Sequence, residues 1–191
     1  MRRLFRLVIT GNPGVGKHTS AKLVAEKMNA EIIDINKLAI DNNAIANKTS
    51  KGLDVDIKKL TRLLVESLKV RKDLVIVGHL APYVLKPSDI SMVAVLRRSP
   101  YDLKKTFEDR GYTKDKSREN TESEILGVSL YDSLKTFGKY RVAEFDTTDK
   151  TPEQIADEII SALQKKSTRH VGIDWLAIVS ERGDMEKFFD Y

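Results

Sequence analysis

Gly11-Asn12-Pro13-Gly14-Val15-Gly16-Lys17-His18-Thr19, GNPGVGKHT, is the stretch that decides the fold. Its first eight residues follow the spacing G-x-x-x-x-G-K-x, a loop whose backbone N–H groups turn inward around an anion. Just before it, Leu4 to Thr10 is a short apolar run with β-branched members, which reads as a buried parallel strand. Just after it, Lys17 to Met28 sets Ala21, Leu23, Val24, Ala25 and Met28 on one helical face. Strand, glycine loop and helix in that order are what a phosphate cradle requires, because the helix then presents its positive dipole end to the anion. Gly11, Gly14 and Gly16, with Pro13 and Val15 between them, shape the loop. Lys17 supplies a mobile cation for β- and γ-phosphates, and Thr19 offers a hydroxyl. The eighth position normally carries Ser or Thr, whose hydroxyl holds Mg2+; here it is His18.

The rest of the chain alternates strands and helices. Glu31 to Asp34 (EIID) reads as a second strand, Leu74 to Val77 (LVIV) as a third, Met92 to Leu96 (MVAVL) as a fourth and Arg141 to Phe145 as a fifth. Between them the spacing predicts a short helix over Asn36 to Ile45 and a polar loop over Asn47 to Gly52. A longer helix, capped by Asp54, is expected to run to about Val70. A charged helix is expected from Tyr101 to Arg110, and another from about Glu119 to Phe137. Thr151-Pro152-Glu153-Gln154 has capping-box spacing with proline at the first helical position, opening a helix to about Leu163. The fold class expected is therefore α/β, a parallel sheet with helices on both faces. Residues 1–166 form the domain and 167–191 a C-terminal extension. That extension, with Ile173, Trp175, Leu176, Ile178, Val179, Phe188 and Phe189 as anchors, reads either as a terminal helix docked on the domain or as a partner-binding tail.

Composition narrows the function classes. The absence of cysteine rules out disulfides and thiolate metal sites and agrees with a reducing, cytoplasmic setting. The apolar start, MRRLFRLVIT, is too short for a secretory signal, and no stretch approaches the roughly 18 apolar residues of a membrane span. No membrane partner is expected. A net charge of +5 suits a phosphate-handling protein and leaves room for an anionic partner such as RNA. A GTPase would need N-K-x-D, and Asn36-Lys37-Leu38-Ala39 fails at the aspartate. Arg97, Arg98 and Arg110 instead suit small kinases that close an arginine-bearing lid over the transferred phosphoryl group. The mixed charges around Lys104, Lys105, Lys114, Lys116 and Arg118 read as solvated helix faces.

Gly11 to Thr19, Gly78-His79, Leu96-Arg97, Arg110-Gly111-Tyr112 and Asp146 to Pro152 (DTTDKTP) occur in that order, and over Leu4 to Leu163 the chain resembles the adenylate kinase isoenzyme 6 family. The resemblance implies a P-loop NTPase with a five-stranded adenylate-kinase-like sheet, a monophosphate-binding part over 34–57 and a short lid over 100–118. It implies ATP with Mg2+ as the donor, a nucleoside monophosphate (AMP foremost) as acceptor, and ATPase activity. It also implies a role in small ribosomal subunit maturation, through a platform ribosomal protein and the pre-ribosomal particle. By position, Gly14, Gly16, Lys17, His18 and Thr19 would hold the triphosphate. Arg110 would be the lid arginine and Lys150 would lie near adenine. In a transferase so built, Arg97 is expected to meet the acceptor phosphate, and His79 to place a water or contact the acceptor.

Two positions depart from that family's pattern. His18 replaces the metal-binding hydroxyl, and Val77-Gly78-His79 lacks the aspartate of the usual Asp-x-His. Magnesium prefers oxygen ligands, so the metal ligands stay unassigned. Asp34, Asp54 and Asp56 read either as compensating carboxylates or as helix caps. These departures leave an alternative function, a nucleotide-dependent ribosome assembly factor with very slow phosphoryl transfer.

Overall fold

The computed structural model describes residues 4–49, 52–70, 72–166 and 172–190. The strands are β1 (Arg6–Gly11), β2 (Glu31–Asp34), β3 (Ile45–Thr49), β4 (Gly52–Val55), β5 (Leu74–Val77), β6 (Met92–Arg97) and β7 (Val142–Asp146). The helices are α1 (Lys17–Met28), α2 (Ile35–Asp41), α3 (Ile57–Ser67), α4 (Ala81–Val84), α5 (Pro100–Asp109), α6 (Lys114–Ile125), α7 (Val128–Phe137), α8 (Pro152–Lys165), α9 (Trp175–Glu181) and α10 (Met185–Phe188). Five strands form one parallel sheet in the order β2-β5-β1-β6-β7. β1 is therefore central, with Ile9 paired to Val77 on one side and Gly11 to Leu96 on the other.

The two-residue period of the strands divides the core. Leu7, Ile9, Val75, Val77, Ala94 and Leu96 face one layer with Val24 of α1, Leu103 and Phe107 of α5, and Ile155 and Ile159 of α8. Val8, Leu74, Ile76, Val93 and Val95 face the other, with Ile35 of α2, Leu60 and Leu64 of α3, and Phe137 of α7. Both faces are dry, which is why these strands read as unbroken apolar runs. The capping box of Thr151 and Gln154 forms as expected and starts α8.

Four expectations of secondary structure are corrected. The predicted helix over 36–45 stops at Asp41, because Asn43 takes a left-handed conformation (φ 51°) and turns the chain. Beyond that turn β3 and β4 form an antiparallel hairpin, in place of a polar loop and a helix capped by Asp54. The cap of α3 is Asp56, which accepts from Lys59 N. The helix expected over 119–137 is broken at Gly127 (φ 66°), so α6 and α7 are separate helices. Finally, the C-terminal segment forms two short helices docked on α6, where Trp175, Val179 and Phe188 bury with Ile125. Phe188 also meets the Tyr101 ring edge to face at 5.1 Å. The linker residue His170 lies outside the described residues. Among the described residues no helix is long and apolar enough to cross a membrane.

Candidate active site

The glycine loop runs off the C-terminal end of β1 and into α1, at the centre of the sheet. Gly16 caps α1 with φ 89°, a left-handed conformation that glycine adopts without strain, and open space lies where a side chain would point. That space lies beside the orphan N–H groups of the first turn of α1, the kind of arrangement that receives anions. On its far side the loop is wedged in place: a methyl at Gly14 would meet Leu103 Cδ2 at 2.7 Å and Phe107 Cε1 at 3.1 Å, so α5 backs the cradle. Pro13 is partly covered, Val15 is buried, and Thr19 and His18 are open to solvent.

Lys17 is the buried cation of the site. Its Nζ donates to Asn12 O at 3.2 Å, folded over its own loop. Burial lowers its pKa to about 8; Asp34 and Glu124 pull it up, and the nearby Arg110 charge pushes it further down. An ammonium so short of partners gains from an arriving phosphate. The influence of Arg110 on Lys17 also puts that exposed arginine within electrostatic reach of the loop.

His18 Nε2 lies 3.2 Å from Asp34 Oδ2. Asp34 Oδ1 meanwhile accepts from Asn36 N and Lys37 N, capping α2. His79 follows β5 on the same cleft, its imidazole pKa lowered by partial burial and then by Lys17 and His18. These side chains thus gather at the ends of three neighbouring strands. Their donor set does not suit a protein-held magnesium ion: among the described residues no group of three His, Cys, Asp or Glu side chains is placed to hold a metal. The imidazole and the carboxylate nearest the loop already satisfy each other.

Beside His79 opens a cavity of about 500 Å³, lined by Asn36, Ala39, Ile40, Ile45, Asp54, Val55, Ile57 and Leu80. Its walls come from α2, the β3–β4 hairpin and the start of α3, inside the stretch expected to bind a monophosphate. Ile40, Ile45, Val55 and Ile57 offer an apolar shelf, with Asn36 and Asp54 as polar edges. A larger groove of about 1130 Å³ lies at the opposite end of the sheet, among Arg6, Lys27, Lys72 and Arg141, away from the loop.

Not every expected residue joins the site. Arg97 does not face the cleft: it is 1% exposed, with Nε donating to Glu124 Oε1 at 2.7 Å and Nη1 to Glu144 Oε1 at 2.9 Å. A guanidinium locked between two buried carboxylates has no face left for an acceptor phosphate. Its neighbour Arg98 turns instead toward the loop, Nη1 3.5 Å from Gly14 O; its Nε has no hydrogen-bond partner among the described residues and lies 3.7 Å from Asp102 Oδ2. Lys150 sits in the β7–α8 connection, its Nζ on both oxygens of Glu158 at 2.8 and 2.9 Å.

Sequence reasoning missed Arg98 as the arginine that reaches the loop, and it missed Asn12 and Glu124. Asn12 Nδ2 donates to Glu124 Oε2 at 2.7 Å, and Asn12 Oδ1 accepts from Ser123 and Ser129. The available signal was an acid next to Ile125 and Leu126 on a helix face, where an unpaired glutamate is costly.

A family model described as an AAA domain matches residues 7–127. A protein of Pyrococcus furiosus named "Putative adenylate kinase" is 36% identical over 176 residues, covering 92% of this chain and 93% of that one. One of the same name from Methanocaldococcus jannaschii is 34% identical over 189 residues, covering 97% and 96%. Among solved structures, a gluconokinase from Sinorhizobium meliloti superposes with a TM-score of 0.58 at 17% identity, over 87% of this chain and 95% of that one. A shikimate kinase from Aquifex aeolicus gives 0.55 at 17% identity, over 85% and 98%. The two structures share the fold.

Proposed function

The chain belongs to the adenylate-kinase-like P-loop family, and on that premise we propose that it transfers the γ-phosphoryl group of ATP to a nucleoside monophosphate, AMP foremost. The observation that carries this reading is the meeting at His79 of two spaces, the phosphate cradle of Lys17 and a base-sized cavity with apolar walls. A pure ATP-binding module has no need of the second.

In the proposed reaction an oxygen of the acceptor phosphate attacks Pγ, the bond from Pγ to the β,γ-bridging oxygen breaks, and two ADP leave. Lys17 swings from Asn12 O to the β- and γ-oxygens, joined by the loop amides from Gly14 to Thr19. Their fixed dipoles stabilise the charge that spreads over the moving phosphoryl group. Arg110 closes from the lid to the same charge. His79, neutral at pH 7 because its pKa is lowered, donates one N–H toward the acceptor phosphate. Arg98 steadies the loop from behind, and Lys150, released from Glu158, borders the adenine. Magnesium comes with the nucleotide, and no step depends on a protein ligand to it.

The finer placement in the isoenzyme 6 family, with ATPase activity and a ribosomal partner in small-subunit maturation, rests on motif order in the sequence. The test of the kinase reading is ATP consumption with and without each nucleoside monophosphate. Stimulation by AMP of tenfold or more, the equivalent of about 1.4 kcal/mol, supports it. Turnover that no monophosphate stimulates would favour the alternative, an assembly factor with slow hydrolysis.

A further inference from the structure

A line of buried polar contacts starts at the phosphate loop and ends at the C-terminal segment. Asn12 donates to one oxygen of Glu124. The other oxygen accepts from Arg97 Nε and, at 3.1 Å, from Arg98 N. Arg97 also donates from Nη2 to Glu124 O at 2.9 Å and from Nη1 to Glu144. The second oxygen of Glu144 accepts from Gly172 N at 2.9 Å and Ile173 N at 3.5 Å. Glu124 is 0% exposed and Glu144 2%.

The charge count of this line gives it meaning. Two carboxylates face a single guanidinium, so Arg97 alone cannot satisfy all four carboxylate oxygens. The outer two are completed by neutral N–H donors, Asn12 Nδ2 from the phosphate loop and the Gly172 and Ile173 amides from the backbone of the C-terminal segment. A buried carboxylate oxygen that loses its donor is costly, and Arg97 can shift toward one glutamate only at the other's expense. The two ends are therefore coupled electrostatically through Arg97.

We propose that Glu124 is a positioning residue of the phosphate loop, and that Glu124, Arg97 and Glu144 make the segment from Gly172 onward an energetic part of the nucleotide site. This rests on the reading of the loop as an ATP site. Phosphate binding draws Lys17 away from Asn12 O, while the Asn12 side chain, held by Glu124, Ser123 and Ser129, keeps the peptide in register. The load passes to Glu124 and, through Arg97, to Glu144 and the Gly172 amide. By linkage, whatever loosens the segment weakens ATP, and ATP tightens the segment to the same degree.

Trp175, the chain's single tryptophan, lies in the segment's buried cluster and reports on it. The experiment uses the full chain and ATP without acceptor, following ATP affinity by calorimetry, Trp175 emission, and hydrogen exchange at the amides of Gly172 and Ile173. Saturating ATP is expected to slow that exchange and shift the emission. Glu144→Gln is expected to weaken ATP about fivefold or more, with the KM for AMP at saturating ATP unchanged. Gly172→Ala leaves every buried charge in place and its methyl meets none of the described residues within 4 Å, but it strains a φ of 73°; it is expected to act in the same direction. Glu124→Gln is expected to raise the KM for ATP more than it lowers kcat, and Glu124→Ala to raise it further. Folded variants at positions 144 and 172 with native ATP affinity, and a native segment that ignores ATP, would overturn the proposal alone. Failure of the native chain to bind ATP would overturn the nucleotide reading and this proposal with it.

Discussion

His18 Nε2 and Asp34 Oδ2 stand 3.2 Å apart, tying the first turn of α1 to the end of β2 where P-loops present a hydroxyl to metal. The other Asp34 oxygen caps α2, so neither side chain is free to serve an ion. His18→Thr restores the hydroxyl. In saturating magnesium it is expected to raise kcat for ATP and AMP about tenfold or more, part of what one preorganised group contributes. Steady-state rates for the two proteins decide this, and an unchanged rate would show that a loop hydroxyl adds nothing to the metal the nucleotide brings.

The Lys17 ammonium, with a pKa lowered to about 8 by burial, makes ATP binding pH-dependent. The bound state needs the charged lysine, so it retains a proton that the free protein gives up as pH rises through 8. Affinity is therefore expected to be nearly flat from about pH 7 to 7.5 and to fall above 8, by at most about tenfold per pH unit. The same shift acts oppositely on folding. Between pH 8 and the unfolded lysine value of 10.5 the unfolded chain binds more protons, so this group's contribution to stability rises with pH. Calorimetric titration from about pH 7 to 9.5 checks the first sign and thermal melts check the second.

Arg97 and Arg98 should separate cleanly despite being adjacent. Arg97→Ala leaves Glu124 and Glu144 buried without their shared cation, and is expected to cost about 3–5 kcal/mol of stability. Arg98→Ala removes a partly exposed side chain, is expected to keep stability within about 1 kcal/mol, and to raise the KM for ATP. Denaturant unfolding alongside kinetics distinguishes the two.

How much of this was legible in the sequence depends on range. The loop, its strand and its helix were readable because their signals lie within a few residues of one another: glycine spacing, a β-branched run and 3.6-residue periodicity. The exchange of roles between Arg97 and Arg98 was not. Which of two neighbouring arginines is buried and which reaches the loop depends on where Glu124 and Glu144 sit, 27 and 47 residues from Arg97. The β3–β4 hairpin was hidden for a related reason. Its pairing of Ile45 with Val55 closes a short, mostly polar ribbon, with little apolar alternation to betray it. Asp34 was readable as a helix cap, and its second role toward His18 needed β2 placed beside β5.

The apolar shelf of the proposed acceptor cavity offers a substitution that spares the core. Ile40 is 57% exposed on α2, so Ile40→Asp is expected to fold normally. Losing its contact with a base, about 1.5 kcal/mol, should raise the KM for AMP roughly tenfold and leave the KM for ATP unchanged. Equal changes in both constants would place the acceptor elsewhere.

The most direct measurement tracks radioactive phosphorus from the γ position of ATP in the presence of AMP. Phosphoryl transfer across the His79 junction predicts that the label appears in the β-phosphate of ADP, that no more than a small part is released as inorganic phosphate, and that Lys17→Ala abolishes the transfer. Label appearing only as inorganic phosphate, at a rate indifferent to AMP, would contradict it.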